Sequence, residues 1–254
     1  MASCIFCGSP HTSREHIWPQ WVSEILAERG SFRLEAEQVN VRSWTQTSRN
    51  VAVITKRVCT TCNNGWMSQL ETQVRPTLEP MLRGNYVRIS SEQQLVLVRW
   101  IVKTAMVLEH IGAAVRRKFF SQTEYLGIRT AQALPERLYV WLSHVVDPTV
   151  AASASEDDFT FQLDDHPDAE PGVGYTSTLS AGEFAFQLVC LRPHDLLVPD
   201  IEVEFTNEEG WEGYSVQLWP IISECYWPPT QSLDHGHLKQ YGTRFARGTK
   251  RNYC

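Results

Sequence analysis

Cys4-Ile-Phe-Cys7 and Cys59-Thr-Thr-Cys62 are two close-spaced thiol pairs, and four thiolates so grouped satisfy the tetrahedral preference of zinc. Such a set fills every coordination position with sulfur, so the ion it holds is structural, and metal-assisted chemistry needs a second ion. The separation between the pairs exceeds that of a compact zinc ribbon, so the intervening strands and helix must fold back to close the site. Between them stands Glu15-His16, a carboxylate beside an imidazole, and directly after the second pair come Asn63 and Asn64. Histidine is the side chain whose ordinary pKa lets it take a proton from water near neutral pH. Carboxylate and amide oxygens suit magnesium, manganese or calcium.

The elements that must position these residues follow from pattern. Ser13 to Ile17 reads as a short strand; Pro19 opens a helix whose apolar face is Trp21, Val22, Ile25 and Leu26, with Gly30 as its stop. Val39 to Val58, rich in Val, Ile and Thr, reads as a hairpin or pair of strands that delivers the second cysteine pair. A helix then runs from Asn63 through Met67, Leu70 and Val74 until Pro76 disturbs it. Beyond residue 85 the character changes. Ser90 or Ser91 caps a near-continuously apolar helix from Leu95 to Ile111 stopped by Gly112, and Ser121-Gln122-Thr123-Glu124 is a capping box. Strands are expected at Leu138–Val146, Phe159–Leu163, Phe184–Leu191, Ile201–Phe205 and Tyr214–Ile222. Acidic, pattern-poor Ser153 to Pro171 is expected as a mobile loop, and Arg244 to Arg251 as a basic tail.

At 43% hydrophobic the chain can bury a substantial core, either as one large domain or as a small module beside a larger one; the change near residue 85 favours a division into 1–85 and 86–254. The apolar run from Leu95 to Ile111 is broken by Arg99, Lys103 and Glu109, and no basic segment precedes an apolar one at the N-terminus, so neither a membrane span nor a signal peptide is expected. Seven cysteines, four at metal-ligand spacing, point to a reducing, cytoplasmic interior rather than a disulfide framework, with Cys190, Cys225 and Cys254 as ordinary thiols. The net charge of -6 is uneven: residues 1–125 carry +5 and residues 126–254 carry -11. A basic N-terminal half permits phosphate contact, with Arg14, Lys56 and Arg57 beside the cysteine pairs, Arg42 and Arg49 on the expected hairpin, and Arg116-Arg117-Lys118 as an extension; either set reads equally as a solvated face.

The cysteine pairs, Glu15-His16-Ile17-Trp18-Pro19 and Cys62-Asn63 together resemble the HNH endonucleases, the ββα-metal nucleases built on a zinc-bound treble clef, over about residues 1–75. The resemblance implies an α+β chain: a treble-clef nuclease module, then a helical segment and a mostly β C-terminal region. It implies His16 as general base and Glu15 and Asn63 as ligands of a catalytic magnesium or manganese ion. Asn50 is the one candidate for the asparagine that braces the histidine loop. Glu15 stands where the family commonly has Asp, and Asn63 where His is common, a harder ligand favouring magnesium or manganese. The implied substrate is DNA, with RNA as the other possibility, and the implied setting a bacterial or phage restriction or defence effector.

Competing readings remain at this stage. Glu71, on the Asn63 helical face, either approaches the ion or is a solvated charge; Asn64 is a further candidate. Trp66 reads as a packing anchor, His110 as a core histidine, and His235-Gly-His237 as loop. His16 is either the base or a packed histidine without a reaction. The whole chain is either a nuclease or a zinc-containing nucleic-acid binder, with residues 86–254 serving recognition, regulation or dimerisation.

Overall fold

The computed structural model describes residues 3–28, 32–38, 42–48, 54–111, 118–146, 150–161, 170–194 and 211–243. Strand β1 (Ser13–His16) pairs antiparallel with β4 (Ile54–Val58) in a two-stranded ribbon. Between them run α1 (Gln20–Ala27), β2 (Phe32–Gln38) and β3 (Arg42–Ser48). After β4 come a single turn, α2 (Thr60–Cys62), a π-helical turn over Asn63–Met67 and the long α3 (Ser68–Leu82). Then follow β5 (Val87–Ile89), α4 (Ser91–Leu108), α5 (Gln122–Thr130), β6 (Leu138–His144), β7 (Val150–Phe161), β8 (Gly172–Ala181), β9 (Phe184–Arg192), β10 (Ser215–Trp219), β11 (Cys225–Trp227) and α6 (His235–Thr243). The chain is mixed α+β.

A seven-stranded sheet, in the order β10-β6-β9-β8-β7-β2-β3, forms the frame. Strands β8 and β9 are buried at nearly every position because helices and side chains cover both faces. On one face lie Val140, Leu142, Phe186 and Leu188, packed into the cluster that includes Trp100 and Ile101 of α4. On the other, Trp141, Phe161, Val189 and Leu191 form a second cluster, and Leu238 and Tyr241 of α6 close a third over Val145 and Ala185. The β8–β9 turn is tucked so close to the end of α3 that a Cβ on Gly182 would lie 2.4 Å from the Leu82 carbonyl oxygen, and its φ of +56° also favours glycine. The main cluster runs continuously from Cys4 to Trp227, with contributions from both sides of residue 85.

Several elements differ from the sequence expectation, each for a physical reason. Val39–Val58 holds a pair of strands, β3 and β4, as expected, but they form no hairpin: β3 pairs with β2 and extends the main sheet, whereas β4 pairs with β1. Strand β2 carries Glu35-Ala36-Glu37-Gln38, poor strand formers, but is hydrogen-bonded on both sides, to β3 and in parallel to β7. Helix α3 passes through Pro76 and Pro80 to Leu82. Each proline forfeits a backbone bond, and burial of Val74, Thr77, Leu78, Met81 and Leu82 offsets the loss. Helix α4 is capped at Ser90, one of the two expected positions, through a box with Gln93, and runs Ser91–Leu108 rather than Leu95–Ile111. Residues 153–158, expected in a loop, belong with Phe159–Phe161, expected as strand, to the 12-residue β7, which pairs with β8 and, as far as Glu156, with β2; Glu156 there is buried and accepts a bond from the Tyr175 hydroxyl. His235 and His237 begin α6 rather than a loop, because Asp234 accepts the His237 N–H at 2.8 Å. The expected strand Ile201–Phe205 and the Arg244–Arg251 tail lie outside the described residues. Among the described residues no helix is long and apolar enough to cross a membrane.

Candidate metal centre and the adjoining acidic site

The first cysteine pair sits in a tight loop: Gly8, at φ +74°, returns its N–H to the Cys4 carbonyl at 2.8 Å, and the Cys4 N–H bonds the Ser9 carbonyl. The second pair caps a helix. Cys59 is the extended N-cap of α2, its sulfur accepts the Cys62 N–H at 3.4 Å, and its carbonyl accepts the Asn63 N–H at 2.9 Å. A bond from the Ile5 N–H to the Arg57 carbonyl, 2.9 Å, lays one loop beside the other. All four sulfurs fall within 4.8 Å of one another, with Cys7 and Cys59 3.5 Å apart. A tetrahedral zinc at ordinary Zn–S distances wants sulfurs about 3.8 Å apart. The four cysteines can therefore hold a zinc ion, and their soft thiolate set suits it.

The electrostatics agree with the geometry. Burial raises the Cys4 thiol, and burial drives Cys62 well above the ordinary thiol range. Burial acts upward on Cys59 too, but the Cys62 N–H and the neighbouring Cys7 and Cys4 thiols outweigh it and bring Cys59 down to about 7. The raised Cys4 and Cys62 thiols resist ionising unless a cation joins them.

The knuckles carry β1 and α3 to the same place. A register shift between Ser13 and Glu15 precedes the site, and Glu15 then sits across from Thr55 and His16 across from Ile54. Successive strand residues point to opposite faces. Glu15 is buried, 3% exposed, toward α4, whereas the His16 side chain is half-buried and makes no hydrogen bond among the described residues. Asn63, in the π-helical turn, donates from Nδ2 to the Arg14 carbonyl at 3.2 Å. This bond stitches the residue after the second knuckle to the strand carrying Glu15-His16. It also commits the amide nitrogen and leaves Oδ1 as the oxygen available to a ligand.

Lys103 is the residue that sequence reasoning missed here. It is 1% exposed on α4, with its ammonium 3.3 Å from Glu71 and 3.9 Å from Glu15. Burial raises the Glu15 carboxyl to about 7, with Lys103 opposing and Glu71 reinforcing the rise. The signal was present in the sequence as a lysine interrupting an otherwise apolar helix. Glu71, in the first turn of α3, is thus joined to Glu15 through one ammonium.

The other nominated residues scatter. Asn64 is exposed. Arg14 and Lys56 are exposed beside the ribbon, but Arg57 is half-buried, and its charge acts on His110 and Tyr125. Trp66 packs edge-on against Phe6 at 5.0 Å and beneath the Arg99 guanidinium at 5.5 Å, an anchor between the knuckles and α4. Asn50, Arg49, Arg116, Arg117 and Cys254 lie outside the described residues, and Arg42 is described only as part of β3. No protein-family model, no curated protein and no solved structure matches the chain.

Proposed function

We propose that the chain is a metal-dependent HNH-type endonuclease that hydrolyses phosphodiester bonds in DNA, with residues 1–85 as a treble-clef nuclease module and the four-cysteine zinc serving the fold alone. The observation that carries this reading is the 3.2 Å bond from Asn63 to the Arg14 carbonyl, which joins the residue after the second knuckle to the Glu15-His16 strand. In this reading His16, half-buried and unpaired among the described residues, takes the proton from water; Arg14 and Lys56 offer charge to the phosphate backbone from the surface. Asn63 Oδ1 and the Glu15 carboxylate would hold a magnesium or manganese ion, and two hard oxygens suit such an ion because water and phosphate complete its shell. Bound there, the ion would offset the negative charge gathering on the phosphate.

The test is cleavage of plasmid and single-stranded DNA by wild type and His16→Ala with magnesium, manganese or EDTA, alongside zinc quantification. Cleavage by wild type alone, lost in EDTA while zinc stays bound, is the expected result. Equal cleavage by His16→Ala removes that residue as the base. A second reading, a zinc-containing nucleic-acid binder without catalysis, is favoured by one observation: Glu15 is buried against Lys103 rather than open to solvent. Salt-dependent DNA binding without cleavage, at intact zinc content, decides for that reading.

A further inference from the structure

Glu15, Glu71 and Lys103 come from three elements, β1, α3 and α4, and meet where the reading above puts a divalent ion. An ammonium has three donors, yet among the described residues only the Glu71 carboxylate is at hydrogen-bond distance from Lys103; the Glu15 oxygen stands off at 3.9 Å and the Trp100 ring centroid at 5.7 Å. The ammonium therefore leans toward Glu71. Glu71 is also the partner with a route to water, 23% exposed at its side chain against 4% for Glu15. An ion arriving at Glu15 meets a resident positive charge that can give way without being stranded, because Glu71 still holds it.

We propose that Lys103 and Glu71 are positioning residues that set the cation affinity of this site: the Lys103 ammonium competes with the divalent ion for Glu15, and Glu71 draws the ammonium away. The inference rests on the reading of Glu15 as a ligand of the ion. It places two determinants of the site outside the Glu-His-Asn constellation, one of them on the core helix beyond residue 85. Removing the competitor tightens binding of a divalent ion; removing the residue that draws the competitor away weakens it. A merely structural role for the trio would not give opposite signs at one ammonium.

The experiment uses the full-length, zinc-loaded protein at one fixed neutral pH. Manganese binding is followed through the electron paramagnetic resonance of free manganese, for wild type, Glu15→Gln, Lys103→Met and Glu71→Gln. Binding by wild type should vanish in Glu15→Gln, tighten at least about tenfold in Lys103→Met and weaken by about the same factor in Glu71→Gln. The magnesium concentration for half-maximal DNA cleavage should follow the same order. If Glu15→Gln abolishes binding but the other two variants leave it unchanged or move it in one direction, the proposal is overturned and the ion at Glu15 stands. If wild-type binding survives Glu15→Gln, the ligand reading falls and takes the proposal with it. Should Lys103→Met not fold, judged by zinc content and cooperative melting, Glu71→Gln decides alone, and unchanged or tighter binding there overturns the proposal. Manganese binding with the expected order but no cleavage of any DNA would sink the nuclease reading and leave the competition intact.

Discussion

Two buried carboxylates meet helix α4, Glu109 at its own C-cap and Glu15 of β1 facing Lys103, and the two are treated differently by the fold. Glu109, its C-cap, is 1% exposed; Oε1 accepts the Phe119 N–H, and Oε2 accepts the Tyr125 hydroxyl at 3.0 Å. The Tyr125 proton being committed there, His110 Nε2 must donate in its 2.8 Å bond to that hydroxyl, which requires only a neutral imidazole. Burial, with Lys118 and Arg57 nearby, pushes His110 down to about 3, in keeping with the neutral form. Glu15 is almost as deeply buried and has no hydrogen bond among the described residues, only the distant ammonium of Lys103. A carboxylate whose oxygens are already satisfied works as a lock. One left short of donors costs stability as it stands and is open to a ligand that supplies what the protein does not.

The largest effect should come from the scaffold that brings Glu15 into position. Cys59 directly follows β4, which pairs with β1, so Cys59→Ser should lose the zinc and loosen the Glu15 end of the molecule; about 10 kcal/mol of metal-binding free energy is typical of such sites. Zinc stoichiometry and amide hydrogen exchange check it. Exchange should rise in β1 and β4 while β8 and β9 stay protected, and a variant that keeps both its zinc and its protection would break the link between knuckle and ribbon. Next in size is Glu109→Ala, which strands the Phe119 N–H and the Tyr125 hydroxyl beside Lys118. A loss of roughly 3–5 kcal/mol in urea unfolding is expected, with manganese binding unchanged. A loss below about 1 kcal/mol would erase the contrast between the two carboxylates.

What the sequence disclosed follows from how local each signal is. The cysteine cluster was legible because its ligands come in close-spaced pairs, and the Ser121–Glu124 capping box because its partners are three apart. Lys103 was not, since its two partners lie on β1 and α3, far away in the chain, and only the fold makes them neighbours. Strand β7 was hidden by Glu156-Asp157-Asp158, which read as loop although all three pair with β8 and Glu156 with β2 as well. Strand β8, with its Gly, Ser and Thr, lacks the bulky alternation of a half-buried strand because both of its faces are covered.

The comparison is sharpened by pH. The Glu15 carboxyl, ordinarily near 4.5, is raised to about 7 in the fold. A raised carboxylate pKa means that the folded state holds its proton more tightly than the unfolded chain, so this group's contribution is fully present below about 4.5 and is lost as pH rises to about 7. Glu15→Gln cannot titrate. Without added divalent ion, the variant should gain about 2–3 kcal/mol on wild type between those limits, read from urea unfolding across the pH range. A constant difference would mean that Glu15 titrates normally and is not the undersatisfied carboxylate of the pair.

The smallest effect probes the lock from the side. Ser121 caps α5, its Oγ accepting the Glu124 N–H at 3.3 Å while Glu124 returns a bond to the Ser121 N–H at 2.7 Å. One turn further on, Tyr125 presents its hydroxyl to Glu109. Ser121→Ala removes both Oγ bonds, the one accepted from the Glu124 N–H and the one donated to the Glu124 carboxylate, and should cost about 1 kcal/mol, the usual worth of such a cap. Because the cap acts on Glu109 only through the placement of Tyr125, the cost should shrink when Glu109→Ala is already present, and a double-mutant cycle measures that coupling. Full additivity would mean that α5 holds Tyr125 in place without its cap, and that the lock is set by the core around Phe119 and Phe120 instead.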